Sequence, residues 1–172
     1  MNDSIYTKAE GLIHRFGSRD PYVLLEALNT TVDFTHEFRR DGLKGFCVIL
    51  NKQRYVVING YLCDEEARVV AAHEAGHIVL HRNELKMSPF HDDNIYLSKS
   101  RTEREANFFA ADFLISDKDV LDAMKGYDAN FFSVARALRI PEQFFAFKLY
   151  SMVERGYSVK MPVELNNTFL AT

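Results

Sequence analysis

Two histidines four residues apart, with a glutamate directly after the first, stand in the run His73-Glu74-Ala75-Gly76-His77. On a helix, residues i and i+4 share a face, so both imidazoles can reach one metal ion. Glu74 projects to the adjacent side, where a carboxylate can take a proton from a water activated by that ion. The HExxH spacing thus points to metal-assisted hydrolysis, with His73 and His77 as zinc ligands and Glu74 as general base. The flanks indicate a buried helix: Ala71, Ala72, Ala75 and Gly76 are small, and Ile78, Val79 and Leu80 are large and apolar. Polar side chains buried in such a segment need partners.

A catalytic zinc takes three protein ligands and leaves one position for water, so a third ligand must come from elsewhere. His81 lies eight residues after His73, about 12 Å along a helix, too far to share the ion. Its expected role is to support the site from the helix end. His91 belongs to a polar loop. Glu103 and Glu105 head the next helix, where either can also close a capping box, with Ser100 or Thr102 respectively. If Thr102 is the cap, Glu105 is engaged there and Glu103 faces the metal. Asn107, one turn beyond Glu103 on the same face, can then orient a ligating histidine. This facing argument favours Glu103. His91 and Tyr96, in the loop beside the motif, are candidate donors to a developing oxyanion.

The elements that must hold these groups follow from the pattern of the chain. Asp20 and Pro21 open a helix that ends by Asn29. Phe46–Leu50 and Tyr55–Ile58 are β-rich runs around a polar turn, an antiparallel hairpin whose edge could receive an extended peptide. Asp64, Glu65 and Glu66 start the motif helix, expected to run to Arg82. Residues 86–99 show no period and read as a loop. A second apolar helix follows from near Ser100 to Ile115, then a short helix capped by Ser116, another from Asp128 to Leu138, and a last from Pro141 to Arg155. The fold class is α+β, mainly helical, with a small antiparallel sheet before the motif helix.

With 172 residues, 47% apolar, the chain suffices for one compact core, and one main domain is expected. A net charge of -3 gives no general attraction to nucleic acid or anionic membranes. Cys47 and Cys63 are expected as free buried thiols in a reducing compartment. Met1–Glu10 carries no signal pattern, and no apolar run reaches membrane-helix length, so a soluble cytoplasmic protein is expected.

The pairing of His-Glu-Ala-Gly-His-Ile-Val-Leu-His at 73–81 with Glu-Arg-Glu-Ala-Asn-Phe-Phe-Ala-Ala-Asp-Phe-Leu-Ile at 103–115 resembles the ImmA/IrrE family of metallo-endopeptidases. Val57-Ile58-Asn59 is similar to the family's strand leading into the motif helix, so the resemblance spans Asp20 to Ile115 and reaches toward the helices beyond. It implies zinc held by His73, His77 and Glu103. The spacing from Glu103 to Asn107 is similar to the Glu-xxx-Asp element of thermolysin-like, gluzincin-type enzymes. Ser116 stands where the family often has Pro, a departure in helix termination that leaves the ligands untouched. The resemblance further implies a zincin-like domain over 1–125, with residues 126–172 as a helix-turn-helix-like extension packed on it. The implied partner is a protein substrate, a helix-turn-helix repressor.

Two other readings compete. Ser133–Gln143 has the rhythm of a DNA-binding helix-turn-helix, but its second helix begins Glu142-Gln143-Phe144-Phe145-Ala146-Phe147, with Lys148 its first base. That face suits packing better than phosphate contacts, so direct nucleic-acid binding is not expected. A structural zinc would need a fourth protein ligand, His81 or His91, and would have no use for Glu74.

Overall fold

The computed structural model describes residues 2–87 and 101–159. Within them the chain forms α1 (Asn2–Phe16), α2 (Pro21–Ala27), β1 (Thr30–Thr35), β2 (Gly45–Leu50), β3 (Gln53–Asn59), α3 (Asp64–Leu80), α4 (Arg82–Met87), α5 (Arg101–Leu114), α6 (Asp117–Ala123), α7 (Phe131–Ala137) and α8 (Glu142–Glu154). The class is α+β and mainly helical.

Local chemistry sets many of the boundaries. Asp20 Oδ1 accepts the Tyr22 N–H at 2.9 Å, and Pro21 occupies the first position of α2. Asn29, at φ 51°, ends that segment in the left-handed region. The β2–β3 hairpin pairs antiparallel with Cys47 opposite Val56. Its turn residues Asn51 and Lys52 have φ of 50° and 69°, the mirror-image turn that matches strand twist.

The sheet is larger than this hairpin. β1 pairs parallel with β3, from Thr30 opposite Arg54 to Thr35 opposite Asn59, giving the order β1-β3-β2. The expected antiparallel sheet is therefore mixed, with β3 central and β2 at an edge. β1 was not anticipated because it carries little apolar signal: Thr30 is its buried residue and Phe34 is half exposed.

Asn59 fixes the corner between β3 and α3. Its Nδ2 donates to Arg39 O and Leu43 O, both at 2.9 Å, and its Oδ1 accepts from Tyr61 N at 3.0 Å. The acidic first turn of α3 favours the helix dipole, although Cys63, not Asp64, takes the cap position. Cys63 is exposed, and only Cys47 is buried, which corrects the expectation of two buried thiols. α3 ends at Leu80, short of Arg82, and α4 takes in Lys86 and Met87 from the segment read as loop. Residues 88–100, with His91 and Tyr96, lie outside the described residues.

One hydrophobic cluster joins α1, the sheet, α3, α5 and α8, with Ile5, Val56, Ala72, Phe109 and Phe147 among its members. Phe144, Phe145 and Phe147 of α8 are fully buried. So is Lys148, whose Nζ lies 2.9 Å from Asp112 Oδ1 and 2.7 Å from Asp117 Oδ1. Lys148, the first base that the competing DNA-binding reading would need on an outward face, is an internal ion-pair partner. Ser116 caps α6, accepting the Asp119 N–H at 3.0 Å. α7 starts after Asn130, which forms a capping box with Ser133, and not at Asp128. No helix among the described residues is long and apolar enough to cross a membrane.

Candidate metal centre and active site

The site is made where α3 crosses α5, the most extensive helix–helix contact among the described residues. Gly76 permits it: a Cβ there would stand 3.2 Å from Ala106 Cα, Ala106 O and Phe109 Cδ1. With no side chain between the backbones, the first turn of α5 comes within reach of the two motif histidines.

His73 Nε2 and His77 Nε2 lie 3.0 Å apart. Glu103 Oε2 is 3.1 Å from the first and Oε1 is 3.3 Å from the second. These three residues form a metal-capable group, with ligand atoms all within 4.8 Å of one another. Glu105 and His81 stand outside that group.

The donor set suits a cation. Asn107 Oδ1, an acceptor, lies 2.9 Å from His73 Nδ1, so the His73 ring carries its proton there and presents a lone pair at Nε2. That lone pair meets a carboxylate oxygen and a second imidazole nitrogen at hydrogen-bond distance. Two acceptors as close as His73 Nε2 and Glu103 Oε2 repel unless a proton or a metal ion lies between them. A tetrahedral zinc with bonds of about 2.0–2.2 Å has ligand atoms about 3.3–3.6 Å apart, slightly more than the 3.0–3.3 Å found here. Burial raises the Glu103 pKa, but the two imidazoles beside it outweigh that and hold the carboxyl well below the usual range. Glu103 is thus ionised, as a ligand must be.

His81 caps α3, and its Nδ1 lies 3.2 Å from His77 Nδ1. Each motif histidine therefore has a side-chain partner at the nitrogen facing away from the group: Asn107 for His73, His81 for His77. Burial lowers the His81 pKa, with the Glu105 hydrogen bond acting against the shift. Glu105 serves no capping box at Thr102, which lies inside α5. Its carboxylate is bound to His81 and Arg101 instead.

Glu74 is 6% exposed, one residue from His73. Burial pushes its pKa up, offset in part by His77 and by hydrogen bonding from Cys47. A carboxylate moved in that direction is a better proton acceptor near neutral pH. Cys47, on the face of β2 turned to α3, has its thiol pushed well up by burial and then by the Glu74 charge. Sequence reasoning did not place Cys47 beside Glu74. The alternation of β2 against Phe46 and Val48 is the signal that puts it on the inward face.

Such a site on an α+β scaffold is that of a metal-dependent peptidase, and comparison agrees. The chain belongs to the peptidase M78 family, whose model, described as the IrrE N-terminal-like domain, matches residues 25–150. It is also similar to the uncharacterized immunity region protein 2 of Bacillus phage phi105, at 31% identity over 116 residues, 66% of this chain and 69% of the relative.

Proposed function

We propose that the protein is a zinc-dependent endopeptidase in which His73, His77 and Glu103 hold the ion and Glu74 is the general base. The observation that carries this is the convergence of three lone-pair donors at 3.0–3.3 Å with a buried glutamate one residue away on the same helix. When bound, zinc activates a water and polarises the scissile carbonyl. Glu74 takes the water's proton and returns it to the leaving amine. Its raised pKa assists the first transfer, and Cys47 holds the carboxylate in place. Asn107 and His81 keep the histidine rings turned to the ion. Three protein ligands converge among the described residues, a set that would leave a coordination position for water, as hydrolysis requires.

Edge strand β2, with its inner face on α3, offers an extended peptide a line of backbone groups leading past Glu74. His91 or Tyr96, which lie outside the described residues, would supply the oxyanion donor. The reading as a cytoplasmic enzyme acting on a helix-turn-helix repressor is supported by the similarity to an immunity region protein of a phage. The zincin-like part would span 1–125 and the extension 126–172. Incubating the zinc-loaded protein with the repressor encoded beside it should give a discrete internal cut, abolished by a chelator. A repressor left whole by protein that cuts an unstructured peptide would overturn the substrate.

A further inference from the structure

Glu105 takes no part in the ligand group, yet both of its oxygens are engaged. Oε2 lies 3.0 Å from His81 Nε2, and Oε1 lies 2.8 Å from Arg101 Nε. A carboxylate only accepts, so His81 Nε2 carries the proton in that bond. In the neutral ring the lone pair then sits on Nδ1, 3.2 Å from His77 Nδ1. His77 is left as the donor between the two imidazoles. Its own lone pair falls on Nε2, the atom 3.0 Å from His73 Nε2 and 3.3 Å from Glu103 Oε1.

The opposite arrangement closes the site. With the His81 proton on Nδ1, His77 would accept at Nδ1 and carry its own proton on Nε2, directed at the ion's position. Nothing in His81 alone selects between these tautomers; the carboxylate at the far end does.

We propose that Glu105 is a positioning residue for the metal centre: by holding the His81 proton on Nε2, it makes His77 offer its Nε2 lone pair to zinc. This rests on the reading of His73, His77 and Glu103 as ligands. The two ligating histidines are then oriented by one helix in two ways. Asn107 of α5 reaches His73 directly, whereas Glu105 of α5 reaches His77 through His81. A plain Glu105–Arg101 surface pair leaves this unexplained, since Arg101 is 74% exposed while His81 is buried. Exposed pairs of that kind contribute little.

The test is zinc affinity by chelator competition, with the visible absorption of the cobalt-substituted protein, for wild type, Glu105→Ala, Glu105→Gln and His73→Ala. Glu105→Ala should bind zinc about 10–100-fold more weakly and show an altered cobalt band, as loss of a group behind a ligand does. Glu105→Gln, whose amide oxygen still accepts from His81, should return to within about threefold of wild type. Wild-type affinity in Glu105→Ala, or a Gln variant as weak as the Ala variant, overturns the proposal. His73→Ala keeps the two ideas apart: if it loses zinc while Glu105→Ala does not, only the positioning role fails, and if it binds zinc normally, the ligand reading fails with it.

Discussion

Gly76 and Ala106 form the contact on which the site depends: a Cβ at position 76 would lie 3.2 Å from both the Cα and the carbonyl oxygen of Ala106. Backbone cannot retreat as a flexible side chain can, so Gly76→Ala would push α5 outward by a few tenths of an ångström. Overpacking of this kind costs about 1–3 kcal/mol, against which alanine recovers about 1 kcal/mol of helix propensity. The net expectation is a small loss of stability with a larger loss of zinc affinity, because Glu103 rides on α5. Thermal unfolding and chelator competition on the same variant check it; unchanged zinc binding would show that the close approach does not set the site.

Asn107 is the direct partner of His73. Asn107→Ala should weaken zinc about 10–100-fold, while Asn107→Asp, which keeps an acceptor at the ring nitrogen, should bind near wild type. Competition with a zinc chelator distinguishes the two.

Lys148 sits among Asp112, Asp117 and Ser151 in the core, fully buried with Asp112. Removing it leaves the Asp112 charge without its main partner, and breaking a buried pair costs about 3–5 kcal/mol. Lys148→Ala should therefore be severely destabilised in urea. Arg139→Ala, which breaks the exposed pair with Glu65, should unfold like wild type.

Asp117 gives the protein an acid limit. Burial raises its pKa, but hydrogen bonds from Arg155 and Lys148 outweigh that and hold it well below the usual aspartate value. A carboxyl depressed in the folded state stabilises fully above its unfolded pKa of about 3.9, and that stability is lost as pH falls toward the folded value. Asp117→Asn should be about 2 kcal/mol less stable at pH 7 and should lose less than wild type on going from pH 5 to pH 2. Urea midpoints across that range test the sign.

The sequence was most legible where a side chain acts on its own neighbourhood. The caps at Asp20 and Ser116, the hairpin turn and the spacing of His73, Glu74 and His77 all express chemistry within a few residues. Asn107 was found because it shares a helix face with Glu103. What escaped depended on distant partners. β1 is an edge strand with little apolar content, paired with a strand that lies beyond β2 in the chain. α1 has the apolar period at Ile5, Ala9, Leu12, Ile13 and Phe16, weakened by Gly11 within it. The ion pairs of Lys148 were not legible because its acids, Asp112 and Asp117, lie on other helices. Cys47 read as a simple core thiol because its contact with Glu74 crosses from sheet to helix.

The central claim is that Glu74 carries catalysis without holding the metal. Zinc content and peptide cleavage should be measured together on wild type and Glu74→Gln. One zinc per chain is expected in both, with cleavage reduced about 10²–10⁴-fold in the variant. Full cleavage by Glu74→Gln with zinc bound would contradict the account.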